Sequence, residues 1–454
     1  MFPGPKAKAL AARDLKVLWH PCTQMHDHET VPMVPIARGE GAWLIDVDGH
    51  RLLDAISSWW VNLFGHGHPR IAGAIAAQAE RLEQVILAGF THEPAIRLAE
   101  GLIELAPPGL SRVFYADNGS SAIEVALKMS FHYWQNQGVS AKTQFMTLRG
   151  GYHGETLGAL SVTDVPLYRE TYAPLLLPTL FAPSPDSYLA EPGESAEAYA
   201  DRAADALDQL LAEHGESLAA LILEPLVQGA AGMRMYPARY LTRARAACDR
   251  HRVHLIADEI MVGFGRTGTL FACEQAAITP DFLCLSKGIT GGFLPLSAVL
   301  CTEPVYAAFY AEYQAGRAFL HSHSYTGNAL ACAAAGAVLA MFREEDWLSR
   351  NRATAACLGR ALNRFRDHPN VSDVRQTGMI AAIELVRDRQ QRTPYDWRER
   401  RGLIVYRHAL ERGVLLRPLG NVVYFLPPYC ITADEIERMA EVALAAIERA
   451  VAAP

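Results

Sequence analysis

The 454-residue chain lacks the features that mark several large classes of protein. It has no block of lysine and arginine residues, and its formal net charge is −7, so it offers no basic surface for nucleic acid or anionic lipid. The longest apolar run, Ala329 to Phe342, is shorter than the roughly 20 residues that a membrane-spanning helix needs. The first residues lack the unbroken apolar core of a signal peptide. These absences predict an enzyme of small molecules, with neither nucleic acid nor a membrane as partner.

The sequence also lacks paired cysteines and metal-ligand spacings. Its eight cysteines are scattered without a Cys-x-x-Cys pair, which predicts reduced, structural thiols and a cytoplasmic location. No cysteine or carboxylate joins the His-x-His patterns at ligand spacing, so we predict no metal site. These patterns are His26/His28, His66/His68 and His321/His323.

Two apolar runs each end abruptly in charged residues. Val253–Ala257 is followed by Asp258 and Glu259, and Phe282–Leu285 is followed by a serine and then Lys287. Buried strands would deliver these groups at their carboxyl ends, which is the edge where open α/β sheets bind ligands. An acid and a lysine at this edge predict a lysine that forms a Schiff base with pyridoxal phosphate and an acid, Asp258, that pairs with its pyridine nitrogen.

A predicted strand at 112–116 leads into Gly119, Ser120 and Ser121, after which apolar residues recur at helical spacing. Strand, small polar residues and helix form the geometry of a phosphate cradle, because free amides at a helix N-terminus point at an anion. The alternative is an ordinary serine N-cap.

Two further strands end in candidate site residues. The strand at 143–148 leads to Tyr152 and His153, and the glycines that flank them let the backbone present the tyrosine to a planar cofactor. The alternative is a loop tyrosine that is satisfied locally. The strand at 219–223, which is predicted to be buried, also ends in a carboxylate, Glu224.

The alternation of strands and helices from 112 to 300 predicts an α/β fold with a mostly parallel sheet covered by helices. From 343 onward the pattern is α+β, and a predicted hairpin at 41–54 suits the same smaller domain. We therefore predict that 1–56 and 343–454 form the small domain and 57–342 the large one.

Adjacent tryptophans, Trp59 and Trp60, lie in a segment dense in aromatics, glycine and histidine. In a strand they could not both face the same side, so at least one is expected to reach a cavity or an interface. Two core tryptophans are the alternative.

The motif 255–268, followed by Ser286-Lys287 and then Gly327-Asn328, resembles the class III aminotransferases, pyridoxal-phosphate enzymes of fold type I. The resemblance implies a homodimer with active sites at the subunit interface, in which Lys287 also moves the proton. It implies further roles on the cofactor: Ser120 on the phosphate, Tyr152 over the ring, Asp258 at the pyridine nitrogen, and a hydroxyl on the partner subunit's phosphate from Ser324, where threonine is usual.

Four other segments resemble one branch of this class, which transfers the amino group of S-adenosylmethionine to 8-amino-7-oxononanoate. The resemblance implies that Trp59 and Trp60 wall the substrate pocket and that Arg417 binds the carboxylate of the keto substrate. The four segments are 20–23, 57–60, 151–154 and 417–420.

Two positions depart from the family pattern. Cys22 stands where tyrosine is frequent, which removes a hydroxyl expected near the substrate amine. Met261 and Val262 stand where many members carry Gln-Thr, and we expect Gln228 or Tyr152 to compensate. Lysine as donor, another ω-amino substrate, and an isomerase or decarboxylase on the same scaffold remain open, whereas a catalytically silent protein is disfavoured by the intact lysine and acid.

Overall fold

The computed structural model describes residues 4–31 and 33–453, and the chain divides into two compact units. The first unit comprises Met1–Pro69, Ala353–Arg375 and Met379–Pro454. The second comprises Arg70–Arg352 and Gln376–Gly378. The domain boundaries at 56/57 and 342/343 stay a prediction.

The N-terminal part of the first unit contains the predicted hairpin. Strands β2 and β3 pair antiparallel with Trp43 opposite Leu53, and β1 pairs antiparallel with β2. One short helical turn, α2, follows β3 and carries the adjacent tryptophans. The elements are α1 (Pro5–Asp14), β1 (Ile36–Glu40), β2 (Trp43–Asp46), β3 (Arg51–Asp54) and α2 (Ser57–Trp60).

The second unit is built on a seven-stranded sheet with the order β4-β12-β11-β10-β7-β5-β6. Only β12 runs antiparallel to its neighbours, so the predicted mostly parallel sheet is confirmed. A small antiparallel pair, β8 and β9, lies apart from it. The strands are β4 (Leu110–Ala116), β5 (Gln144–Leu148), β6 (Thr179–Ala182), β7 (Leu218–Leu223), β8 (Val227–Gln228), β9 (Arg234–Met235), β10 (His254–Asp258), β11 (Phe282–Leu285) and β12 (Ser297–Thr302).

The central strands form because their residues can be buried on both faces. Every residue of β7, β10 and β11 is buried, as expected for continuous apolar runs between two layers of helices. One edge of the sheet holds the carboxyl ends of five strands, because these strands run in the same direction: β4, β5, β7, β10 and β11. The helices of this part of the chain are α3 (Pro69–Ala79), α4 (Glu93–Leu105), α5 (Gly119–Asn136), α6 (Leu157–Ser161), α7 (Pro166–Arg169), α8 (Ala196–His214), α9 (Ala238–His251), α10 (Glu303–Ala307) and α11 (Ala329–Glu344).

The C-terminal part of the chain returns to the first unit. Strand β16 pairs parallel with β3, which extends the N-terminal hairpin into a four-stranded sheet, and β14 pairs with β17 in another. Thr432 and Glu435 form a capping box at the start of α14. The elements are α12 (Trp347–Arg366), β13 (Val371–Thr377), β14 (Ile380–Asp388), β15 (Thr393–Pro394), α13 (Arg401–Glu411), β16 (Val414–Leu415), β17 (Val422–Phe425) and α14 (Ala433–Val451).

Within residues 4–31 and 33–453, no helix combines the length and apolar character required to cross a bilayer. The same residues contain no group of three or more histidine, cysteine, aspartate and glutamate side chains arranged to hold a metal ion.

Candidate active site

A buried carboxylate ends β10 and contacts a histidine. Asp258 accepts a hydrogen bond from the Ile260 amide at 3.1 Å, and its Oδ2 lies 2.7 Å from His153 Nδ1. The other ring nitrogen of His153 lies 3.2 Å from the hydroxyl of Thr147, on β5. His153 is buried, so this chain of polar groups is shielded from water, and it orients the carboxylate. Asp258 and His153 were both predicted site residues, and the structure brings them together.

Lys287 lies just beyond β11, at the start of a 3-10 turn, Lys287–Thr290. Its φ of 47° is in the left-handed region. Burial lowers the pKa of Lys287, against the opposing effects of the Asp258 and Glu224 carboxylates. A lowered pKa increases the fraction of neutral amine, which is the form that attacks a carbonyl group or accepts a proton.

Glu224 follows β7 and ties two loops to the sheet edge. One carboxylate oxygen accepts the Tyr152 amide at 2.9 Å, and the other accepts the Gly229 amide at 2.8 Å. Burial raises the pKa of Glu224 to about 7; His153 opposes this increase and Asp258 adds to it. Glu224 therefore holds the backbone of the predicted cofactor loop.

The start of α5 has the geometry predicted for a phosphate cradle. The N-cap is Asn118, whose side chain accepts the Ser121 amide at 3.1 Å, so the alternative of a serine N-cap is wrong. Ser120 Oγ accepts the Glu155 amide at 3.2 Å. A Cβ at Gly154, whose φ is +123°, would overlap Ser120 Oγ, so only glycine allows the backbone to approach this hydroxyl so closely. Gly119 begins the helix, whose first amides have no partners within the helix.

The side chain of Tyr152 is engaged within its own loop. Its hydroxyl donates to Glu155 at 2.8 Å, and its ring lies 5.4 Å from that of Tyr168. Gln228 accepts a hydrogen bond from Ser184 at 2.7 Å and donates to the Arg149 carbonyl at 2.9 Å. Both polar ends of Gln228 are thus occupied by protein groups, which counts against the compensating role expected of it beside Met261 and Val262.

Ser324 lies in an exposed segment of the second unit, next to Tyr325, which is 64% exposed. The Ser324 carbonyl accepts a hydrogen bond from the Gln84 side chain at 3.0 Å. This contact fixes the backbone, while Ser324 itself is exposed.

The first unit holds the predicted substrate residues in a left-handed turn, not in a strand. All four residues of α2 have positive φ: 50°, 53°, 106° and 70° from Ser57 to Trp60. This conformation costs an L-amino acid about 1–2 kcal/mol per residue. Trp60 is buried and donates from Nε1 to the Tyr424 hydroxyl at 3.0 Å, whereas Trp59 is 41% exposed. One tryptophan is therefore a core residue and the other reaches the surface of the unit.

Arg417 joins the exposed tryptophan to the Cys22 segment. Its guanidinium carbon lies 5.0 Å from the centre of the Trp59 ring, which is a cation–π distance. Its Nη2 donates to the Cys22 carbonyl at 3.2 Å. Cys22 is exposed and also has a positive φ, 57°. The structure brings Cys22, Trp59 and Arg417 together, while Trp60 faces Tyr424.

Three residues that support the sheet-edge site and the tryptophan turn were not predicted from the sequence. Thr147 is the penultimate residue of β5, where no local pattern indicates a contact with His153. Asn118 precedes a helix, and its N-cap role was readable from residue type and position. Asp54 ends β3 and contacts the tryptophan turn through both carboxylate oxygens.

The residues at the sheet edge fit pyridoxal phosphate. A lysine of lowered pKa, a carboxylate oriented by histidine, and a helix N-terminus with serine hydroxyls match the aldehyde, the pyridine nitrogen and the phosphate of this cofactor. The match rests on the chemistry of the donor groups.

Comparison with known proteins agrees with this chemistry. The family model "Aminotransferase class-III" matches residues 24–447. An adenosylmethionine-8-amino-7-oxononanoate aminotransferase from Helicobacter pylori is 46% identical over 94% of this chain and 95% of its own. The crystal structure of an enzyme of that name from Methanocaldococcus jannaschii is 37% identical, with a TM-score of 0.92 over 97% of this chain and 99% of its own.

An omega transaminase from Pseudomonas jessenii, solved in complex with PMP, is 33% identical, with a TM-score of 0.92 over 97% of this chain and 98% of its own. The family depends on pyridoxal phosphate. The family match and these relatives each cover nearly the whole chain, and the protein therefore belongs to the class III aminotransferases.

Proposed function

We propose that this aminotransferase moves the amino group of S-adenosylmethionine to 8-amino-7-oxononanoate, giving 7,8-diaminononanoate in biotin biosynthesis. The observation that carries the proposal is the pairing of Arg417 with the exposed face of Trp59. A guanidinium binds a carboxylate through two parallel hydrogen bonds, and the indole supplies an apolar wall for the carbon chain behind it. The relatives named for this reaction support the same choice of substrates.

Pyridoxal phosphate, when bound, supplies a conjugated ring that accepts the electron pair left on the donor carbon. Ser120, Ser121 and the amide of Gly119 would hold its phosphate. Lys287 would hold it covalently, and Asp258 would keep a proton on its pyridine nitrogen.

The protein groups then have separate tasks. Lys287 Nζ accepts the proton from the amino-bearing carbon of the donor, because its lowered pKa leaves the amine neutral more often. His153 holds the Asp258 carboxylate in one orientation through a 2.7 Å contact. Glu224 fixes the backbone of the Tyr152 loop, and Tyr152 would cover the cofactor ring.

We further propose that the protein is a homodimer in which Ser324 contributes its hydroxyl to the partner subunit's phosphate site. The outward position of residues 322–325 supports this role. A cytoplasmic location is proposed from the cysteines, all eight of which are free thiols.

Half-reactions test the donor. The holoenzyme is mixed separately with S-adenosylmethionine, lysine and simple ω-amines, and the absorbance of the lysine-bound cofactor is followed. We expect S-adenosylmethionine to discharge this absorbance and 8-amino-7-oxononanoate to restore it. Conversion by lysine alone would identify lysine as the donor. Conversion only by simple ω-amines would indicate another aminotransferase. Release of carbon dioxide without amino transfer would indicate a decarboxylase.

A further inference from the structure

The left-handed turn α2 needs contacts from outside itself. None of its four residues is glycine, yet all have positive φ, a conformation that L-amino acids adopt rarely. Its own hydrogen bonds, such as Trp60 N–H to the Ile56 carbonyl at 2.9 Å, do not favour the left-handed form over the right-handed one. A group that binds the turn only in this form must stabilise it.

Asp54 is that group. It is completely buried and immediately precedes the turn. Its Oδ1 accepts the amides of Ile56 at 3.2 Å and Ser58 at 3.0 Å. Its Oδ2 accepts the Ser58 hydroxyl at 2.7 Å and lies 2.9 Å from His66 Nε2. One carboxylate therefore contacts three backbone or side-chain donors of the turn segment and one histidine.

His66 links Asp54 to the chain beyond the turn. Its Nδ1 lies 3.0 Å from the side-chain amide of Asn62, whose oxygen accepts the Gly65 amide at 2.7 Å. With Nε2–H donating to Asp54, His66 Nδ1 accepts from Asn62, and every group in the chain has a partner of the correct kind. The segment before the turn and the segment after it are thus fixed by one hydrogen-bond network.

We infer that Asp54, with His66, is a positioning residue that sets the substrate preference of the enzyme by holding α2 in its left-handed form. This form places the Trp59 ring beside Arg417 while Trp60 remains anchored on Tyr424. The inference rests on the proposed function, since it gives Trp59 and Arg417 to the acceptor's carbon chain and carboxylate. Asp54 acts through the turn, because its hydrogen bonds are with Ile56, Ser58 and His66.

Asp54→Asn is the informative variant, because it keeps an oxygen for the two amides but replaces Oδ2 with a group that donates. The new amide N–H would face the N–H of His66 Nε2, so two donors would meet and the hydrogen bond would be lost. We expect the KM for 8-amino-7-oxononanoate to rise about tenfold, which corresponds to about 1.4 kcal/mol of lost positioning. The rate of the donor half-reaction at saturating S-adenosylmethionine should stay within about twofold, because the lysine and cofactor groups are untouched.

Asp46→Asn is a matched control. Asp46 is also buried, accepts the amides of Asp48 and His50 at 2.9 and 2.8 Å, and lies 2.8 Å from His50 Nδ1. It ends β2 in the same sheet but makes these contacts away from α2. Asp46→Asn should therefore lower the melting temperature as Asp54→Asn does, while the acceptor KM stays unchanged.

Rescue by glycine separates positioning from a general loss of stability. Glycine adopts positive φ without the penalty of a side chain, so adding Ser58→Gly to Asp54→Asn should lower the acceptor KM again. The inference is overturned if Asp54→Asn leaves the KM within twofold, if Asp46→Asn raises it equally, or if glycine at 58 gives no recovery.

A second readout does not depend on the substrate. Quenching of Trp59 fluorescence by acrylamide, taken as the difference from the matching Trp59→Phe background, should increase in Asp54→Asn and not in Asp46→Asn. Unchanged quenching would contradict the positioning role even if the wild-type enzyme used another acceptor. Inactivity of the wild type with 8-amino-7-oxononanoate, by contrast, would refute the proposed function alone.

Discussion

The Oδ2 atom of Asp258 lies 2.7 Å from Nδ1 of His153, and the second nitrogen of that ring lies 3.2 Å from the Thr147 hydroxyl. The acid at the end of β10 is thus oriented by a loop residue that is itself held by β5. An acid oriented in this way can keep one direction toward a protonated ring nitrogen without rearranging during turnover.

His153→Phe should lower kcat by about 10- to 100-fold, because removal of one partner of a buried charge costs roughly 1.5–3 kcal/mol. The cofactor should remain bound, since lysine and phosphate contacts are intact. His251→Phe is the control: it removes a histidine that lies 2.9 Å from Asp208 on the surface of the same unit. Equal kcat values for the two variants would contradict the role of His153.

Lys287→Ala should abolish the covalent attachment of the cofactor, measured as the mass of the protein after borohydride reduction. Lys142→Ala is a matched control, because burial also lowers the pKa of Lys142, to about 8. Lys142 donates to the Leu218 carbonyl at 2.9 Å, so its loss should destabilise the fold while the cofactor stays attached. Retention of covalent cofactor in Lys287→Ala would refute the assignment of the lysine.

The contribution of Glu224 to the stability of the cofactor-free protein should fall as pH rises from about 4.5 to 7. Burial raises the pKa of Glu224 from 4.5 to about 7 in the fold, so folding favours the protonated form, and this contribution is complete only below pH 4.5. The loss amounts to at most about 3–4 kcal/mol, at about 1.4 kcal/mol per pH unit.

Glu224→Gln should therefore make the unfolding free energy at pH 8, relative to that at pH 5, higher than it is in the wild type, as measured by urea titration at both pH values. Burial also raises the pKa of Glu259 to about 7, so the double variant with Glu259→Gln should show a larger change in the same direction. Parallel curves for wild type and both variants would show that these carboxylates do not take up protons on folding.

Ser324→Ala should weaken cofactor binding by about tenfold, since the hydroxyl proposed to reach the partner subunit's phosphate contributes a charge-assisted hydrogen bond. Ser324→Thr keeps the hydroxyl and should bind the cofactor as wild type does. Ser322→Ala, in the same exposed segment, is the control. Binding is measured by equilibrium dialysis of the cofactor, and a wild-type value for Ser324→Ala would contradict the shared site.

Arg417→Ala should raise the KM of the keto substrate by about 10- to 100-fold, because a hydrogen bond to a charged group contributes roughly 1.5–3 kcal/mol. Arg417→Lys should recover only part of this, since an ammonium group lacks the planar fork. Arg412→Ala is the control, because Arg412 contacts His408 at the surface of the same unit. An unchanged KM in Arg417→Ala would place the substrate carboxylate elsewhere.

The residues at the carboxyl edge of the sheet could be predicted because local sequence patterns indicate them. The continuous apolar runs before Asp258, Glu224 and Lys287 indicate buried strands, and the residues that follow such strands must lie at their ends. The helix beginning at Gly119 was equally clear from its apolar spacing. The resemblance to a known family then assigned roles to these positions that composition and spacing alone could not.

The left-handed turn could not be predicted, because its residues carry no signal for positive φ. None of the four residues of α2 favours positive φ by its type. The turn is instead bound by contacts outside itself, from Ser58 to Asp54 and from Ser57 to the Leu426 carbonyl. Two other features also depend on tertiary structure: the contact of His153 with Thr147 and the place of β12 in the sheet. Each depends on which strands become neighbours, which local propensity does not determine.

The position of β12 has a consequence for the order in which the protein can be made. β4 is an edge strand that joins the sheet only through β12, with Ala116 opposite Ser297, while Leu285 of β11 lies opposite Ala298 on the other side. A nascent chain that has emerged only as far as Lys287 thus carries β4 without the one strand that pairs with it in the sheet. The seven-stranded sheet should be completed only once residue 302 has left the ribosome.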